Sequence, residues 1–147
     1  MKILDVGCGP GTYVEQMLVQ GLDAYGVDVE SPTANPRLQS LSVFDSSFPA
    51  RYSGRFDVVI SLEVGEHLPG QLAFEFVRRL VDCLSSDGRR LILFSAAHPG
   101  QGGDGHINCQ PKEYWLDLFR FAGMSLDENR TEDLLSWRTV RTWGGFA

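Results

Sequence analysis

The chain opens on an apolar run that stops abruptly in glycine. Met1-Lys2-Ile3-Leu4-Asp5-Val6 is followed at once by Gly7-Cys8-Gly9-Pro10-Gly11. Such a run bounded by glycines reads as a buried strand. Residues 12–20 then carry Val14, Met17 and Leu18 at helical spacing, and Gly21 closes them. The glycines let the backbone turn tightly and approach a ligand without Cβ clashes. The helix start that follows suits an anionic group. A dinucleotide loop needs G-x-G-x-x-G, but the sixth position here is Thr12 and the glycines run G-x-G-x-G. A P-loop is excluded because no Gly-Lys-Ser/Thr follows.

The alternation continues. Residues 24–29 read as a second strand, 41–44 as a short third, 56–62 as a β-branched fourth and 90–95 as a fifth. Pro32 and Pro36 leave any helix over 31–35 short or broken. The strongest helix is 71–84, with Leu72, Phe76, Leu80 and Leu84 on one face and Asp87-Gly88 as its stop. A loop with four glycines spans 99–105, and a helix over 111–122 has proline in its first turn and Gly123 past its end. The tail, 124–143, reads as two terminal strands because of the alternating Trp137-Arg138-Thr139-Val140-Arg141-Thr142-Trp143. Strands alternating with helices specify a parallel sheet covered on both faces, with ligands outside the carboxyl ends of the strands.

Length and composition narrow the function classes. The 147 residues make one expected domain, 1–147, and 43% hydrophobic against 22% charged residues is the balance of an ordinary folded protein. No apolar stretch approaches bilayer length. No basic leader precedes the first strand, so the expected compartment is the cytoplasm. Cys8, Cys83 and Cys109 are too few and scattered for a disulfide framework or zinc knuckle, and read as free thiols. A net charge of −6 lowers the odds of a nucleic-acid partner. The Arg78–Arg79 and Arg89–Arg90 pairs read as a solvated helix face and the start of a strand.

Further polar residues fall just after strands. Asp28 ends the second strand, where a carboxylate accepts from ribose hydroxyls. Asp45 ends the third, within reach of an adenine amino group. After the fourth comes Glu63-Val64-Gly65-Glu66-His67, whose acids and imidazole at i, i+3 and i+4 share one face of a helical turn. This set suits a divalent cation, or a general base for a hydroxyl nucleophile. His106 follows the glycine-rich loop, ahead of Pro111, Tyr114 and Trp115. At least one of these two aromatics is expected in the core. His98, before Pro-Gly, reads as solvent-exposed.

Taken together, Leu4-Asp5-Val6-Gly7-Cys8-Gly9-Pro10-Gly11, Gly26-Val27-Asp28, Phe44-Asp45 and Phe56-Asp57-Val58-Val59-Ile60-Ser61-Leu62-Glu63-Val64 resemble the class I S-adenosylmethionine-dependent methyltransferases. The resemblance implies a Rossmann-like α/β fold of three layers, α/β/α. It also implies a mostly parallel seven-stranded sheet with an antiparallel last strand. By the same resemblance Asp5, Gly7, Cys8, Gly9, Gly11, Asp28, Asp45 and Leu62 bind S-adenosylmethionine. Family members usually carry a helical segment before the first strand, whereas Met1 abuts it here. The expected N-terminal cover is therefore reduced, which calls for a second copy or a partner protein over the site. The Glu-x-x-Glu-His motif with a later histidine is similar to metal-dependent small-RNA 2′-O-methyltransferases. Its first part is also similar to the ubiquinone-pathway O-methyltransferases. Carried over by position, Glu63, Glu66, His67 and His106 hold a metal, with Glu66, His67 and His106 catalytic. The implied reaction is methyl transfer to a hydroxyl of a small molecule or sugar. An RNA ribose hydroxyl, and a non-catalytic cofactor-binding subunit, stand as the alternatives.

Overall fold

The computed structural model describes residues 1–31 and 34–136. The elements alternate as the sequence pattern requires: β1 (Lys2–Val6), α1 (Thr12–Val19), β2 (Asp23–Asp28), β3 (Leu38–Ser40), α2 (Phe48–Tyr52), β4 (Val58–Leu62), α3 (Ala73–Asp82), β5 (Leu91–Ser95), α4 (Lys112–Phe121) and α5 (Glu128–Ser136). The sheet order is β3-β2-β1-β4-β5. The ladders β1·β2, β1·β4 and β2·β3 are parallel, with Asp5 opposite both Gly26 and Ile60. This is the Rossmann-like α/β arrangement: order reverses at β1, and the strand ends beside that switch point carry the glycine loop.

The residues group into two compact units, Met1–Leu62 with Glu75–Phe94, and Glu63–Phe74 with the chain from Ser95 onward. In the first unit β1 is buried along nearly its whole length, as a central parallel strand must be. Ile3, Val14, Ala24, Leu38 and Val58 form its core, with Met17, Leu18 and Leu22 packed against them. Phe76, Val77 and Leu80 of α3 are wholly buried, and the Phe76 ring lies 6.5 Å from that of Phe44. In the second unit Trp115 of α4 is buried, and its ring packs so closely on Gly65 that a Cβ there would overlap it. Tyr114 is half-buried, so one of the two aromatics is core as expected.

Three expected elements are corrected. The third strand is Leu38–Ser40, not 41–44. Leu38 is the residue that buries, while Ser42 turns the chain by accepting at its carbonyl from the Asp45 N–H (3.0 Å) and at its hydroxyl from the Phe44 N–H (3.2 Å). The fourth strand starts at Val58; Phe56 makes only an isolated bridge to Leu84. Part of the tail expected as strand is instead α5, because Asp127 caps it: its Oδ1 accepts from the Arg130 N–H at 3.1 Å. The alternating segment 137–143, and with it the antiparallel last strand, lies outside the described residues. Helix α2, unforeseen, carries Pro49 in its first turn.

Candidate active site

The glycine loop is built by backbone conformation. Gly7, Gly9 and Gly11 hold φ of 83°, 52° and 87°, the left-handed region that a Cβ penalises. The Gly7 N–H donates to the Val27 carbonyl at 2.8 Å, and the Gly11 N–H to the Cys8 carbonyl at 2.9 Å. Gly11 is the N-cap of α1, and no side chain caps that helix. Asp28, at the end of β2, accepts from the Gly9 N–H at 2.9 Å and the Glu30 N–H at 3.1 Å. The Ser31 hydroxyl donates to the Gly9 carbonyl at 3.2 Å and lies 3.1 Å from the Cys8 sulfur. Burial pushes the Cys8 thiol up to about 11, so this cysteine stays a neutral packing group.

Buried side-chain atoms on the strands that lead to the site meet no hydrogen-bond partner among the described residues. Asp5 Oδ2 on β1 and Ser61 Oγ on the adjacent β4 are such atoms; Asp5 pairs in register with Ile60, so the Asp5 and Ser61 side chains point to opposite faces of the sheet. Burial, reinforced by the charge of Asp28, raises the Asp5 carboxyl to about 7. Buried polar atoms without partners are rare and call for an explanation. A ligand with donor or cationic groups provides one. Above the loop, a Cβ at Gly9 would meet nothing within 4 Å, so the turn faces open space. The residues therefore fit a polar ligand seated on the loop. Ser61 is a site candidate that the sequence reading passed over. Its signal was a lone hydroxyl at the end of the apolar run Val58-Val59-Ile60. Asp45 is placed differently from expectation: it is exposed and lies in a turn, with Oδ1 accepting from the Ser47 N–H (2.8 Å) and hydroxyl (2.7 Å). Leu62 closes β4 and is half-buried.

In the second unit Glu66, His67 and His106 come together, each offering a ligand atom within 4.8 Å of the others. Glu66 and His67 lie on a single 3-10 turn, Gly65–His67. The Glu66 carbonyl accepts from the N–H groups of Ile107 and Asn108, both at 2.9 Å, which draws the segment carrying His106 alongside. The two imidazoles meet edge to face with centroids 4.9 Å apart. Glu66 is completely buried, and among the described residues neither carboxylate oxygen has a well-formed hydrogen bond, although the backbone of Glu66 and Ala97 lies toward it. Its Oε1 lies 3.9 Å from His106 Nε2. Burial holds the Glu66 carboxyl above its ordinary range, and Glu63 adds to the effect. Each histidine turns Nδ1 toward a main-chain carbonyl, His67 to Gly105 at 3.2 Å and His106 to Gln101 at 3.4 Å. With the proton on Nδ1, each Nε2 is left as a free donor of electrons, the usual arrangement of metal-ligating histidine.

Glu63 stands outside this group. Its Oε1 accepts from the Ser95 hydroxyl at 2.8 Å and its Oε2 from the Gln101 amide at 3.0 Å. The reason is local: Glu63 precedes the 3-10 turn, so the i, i+3, i+4 geometry of one continuous helical turn does not apply to it. His98 is exposed, as expected.

A family model described as a methyltransferase domain matches residues 1–143. The chain belongs to the class I S-adenosylmethionine-dependent methyltransferase family. Among relatives of this methyltransferase chain, the ubiquinone biosynthesis O-methyltransferase of Pseudomonas aeruginosa is 36% identical over 132 residues, covering 83% of this chain and 50% of its own. The chain thus spans about half the length of the curated relatives it matches. Among solved structures, a SAM-dependent methyltransferase from Archaeoglobus fulgidus superposes with a TM-score of 0.67 at 16% identity, over 83% of this chain and 60% of that one. The Burkholderia thailandensis 1,6-didemethyltoxoflavin-N1-methyltransferase, solved with bound 1,6-didemethyltoxoflavin and S-adenosylhomocysteine, gives 0.62 at 23% identity, over 84% and 60%. At these identities the structural likeness speaks for the fold. Among the described residues no helix is long and apolar enough to cross a membrane.

Proposed function

We propose that residues 1–147 act as one methyltransferase domain that transfers a methyl group to a hydroxyl of a small molecule or sugar. The observation that carries this reading is that the chain holds both an open glycine loop with Asp5 and Asp28, in its first compact unit, and a buried-carboxylate and imidazole set at Glu66, His67 and His106, in its second. The family match runs across both compact units, which supports a single domain. The hydroxyl acceptor is supported by the O-methyltransferase relative.

When bound, S-adenosylmethionine supplies a methyl already activated by its sulfonium. Gly7 and Gly9 let the backbone approach it, Gly11 makes room for Leu38 beneath the turn, Asp28 accepts from the ribose hydroxyls, and Asp5 takes up a further polar group. Asp45 and Leu62 border the nucleoside. The chain's own task is then alignment, since proximity and orientation supply most of what a preactivated methyl needs. Glu66, His67 and His106 would hold a divalent cation, which lowers the pKa of a bound acceptor hydroxyl. Mixed carboxylate and imidazole ligands suit Mn²⁺, Fe²⁺, Co²⁺ or Zn²⁺ better than Ca²⁺. Without a cation, His67 or His106 takes the hydroxyl proton as general base.

A cover from a second copy or a partner protein belongs to this reading. Its support is a groove of about 360 Å³ lined by Tyr13, Met17, Leu22, Ile60, Leu62 and Leu93, and light scattering over a concentration series tests it. Cys8, Cys83 and Cys109 are free, which supports a reducing, cytoplasmic setting. The deciding experiment is turnover of labelled S-adenosylmethionine with a panel of hydroxylated acceptors. Cofactor binding without transfer to any acceptor would favour a non-catalytic subunit, and transfer only to RNA would favour a ribose acceptor.

A further inference from the structure

We propose that Gln101 is the positioning residue of the Glu66–His67–His106 centre, with Glu63 as its anchor rather than a ligand; this rests on the divalent-cation reading above. Glu63 has φ of 55°, a left-handed conformation that costs a residue with a side chain and persists only where neighbours fix it. Three bonds do so. Its N–H donates to the Ser95 carbonyl at 3.1 Å, and its carboxylate accepts from the Ser95 hydroxyl at 2.8 Å and the Gln101 amide at 3.0 Å.

Gln101 lies in a loop that holds Gly100, Gly102, Gly103 and Gly105, a composition with high conformational entropy and little intrinsic shape. Its contacts give that loop a shape. The Gln101 N–H donates to the His98 carbonyl at 3.0 Å, its side-chain oxygen accepts from the His98 N–H at 3.4 Å, and its amide reaches Glu63. Its own carbonyl faces His106 Nδ1, which sets the tautomer that leaves Nε2 toward Glu66. Gly103 packs close against the His106 ring, where any Cβ would overlap it, and the Gly105 carbonyl performs for His67 what the Gln101 carbonyl performs for His106. One loop therefore orients both imidazoles, and the Gln101–Glu63 bond ties that loop to the segment that carries Glu66 and His67.

Calorimetry and visible absorption with Co²⁺ alone test this on the whole chain, with thermal melts to confirm folding. Gln101→Ala should weaken Co²⁺ binding about 10–100-fold, the range for residues that orient metal ligands. The exchanged pair Glu63→Gln with Gln101→Glu reverses donor and acceptor and should restore affinity to within a few-fold, with the wild-type absorption spectrum. If Glu63 is instead a ligand, Gln101→Ala releases it and binding holds or tightens, while the exchanged pair fails to restore it. Either of those results overturns the proposal while leaving the cation reading intact. No Co²⁺ binding by the wild-type chain overturns both.

Discussion

The glycine loop and the histidine centre solve the same problem, holding polar groups at strand ends, by different means. The loop takes its turn, its helix start and its Asp28 clamp from 1–31, and backbone N–H groups make most of its contacts. The centre takes its groups from segments far apart in sequence; the His67 to Gly105 bond spans 38 residues. It depends on side chains that a glycine-rich loop must orient. A site made of contiguous backbone survives changes elsewhere in the chain. A site closed by a long-range loop fails when any of its supports goes.

The two should therefore come apart under perturbation, most sharply at Glu66. Glu66→Gln, or removal of metal by chelator, should lower methyl transfer by at least ~100-fold, since loss of outer-shell support alone costs metal sites about 10–100-fold. S-Adenosylmethionine affinity measured on the same samples should not change. Parallel loss of both would merge the two sites into one.

Asp5 offers a test by pH. Its folded-state carboxyl is raised to about 7 from an ordinary value of 3.8, so the folded chain holds a proton there that the unfolded chain releases. Stability from this group is full below about pH 4 and falls by about 1.4 kcal/mol per unit as pH rises toward 7. Urea titrations at pH 5 and pH 8 should show a smaller drop for Asp5→Asn than for wild type; equal drops would remove Asp5 as the cause.

Asp28→Ala should weaken S-adenosylmethionine binding by about 1–3 kcal/mol, the range for leaving buried polar partners unmet, and leave Co²⁺ binding unchanged. The smallest effect is expected at Gly9. Gly9→Ala meets no steric neighbour, so its cost in thermal or urea stability is the left-handed backbone alone, about 1–2 kcal/mol. Calorimetry should show weaker cofactor binding as well, because the new Cβ enters the cradle.

The same contrast explains what could be read from the sequence. The strand, the alternating glycines and Asp28 are neighbours along the chain or at strand ends, so pattern alone placed them. The histidine centre was legible as residue types, but not in its membership. Glu63 and Glu66 look equivalent in Glu-x-x-Glu-His. Only the left-handed backbone at Glu63 and the short 3-10 turn after it separate an anchored carboxylate from a buried, unpartnered one. Asp45 shows a similar limit: the strand before it ends at Ser40, because Leu38 is the residue with a core to fill. Gln101 and Ser61 left almost no trace, since a glutamine among glycines and a serine in an apolar strand gain meaning only from what packs beside them.

The most direct test of the account is a calorimetric titration of S-adenosylmethionine, with NAD as control, into the chain after chelation of all metal. The expected result is saturable binding of S-adenosylmethionine by the chelated chain and no heat from NAD. Binding of NAD with no response to S-adenosylmethionine, or cofactor binding that appears only when metal is restored, would contradict it.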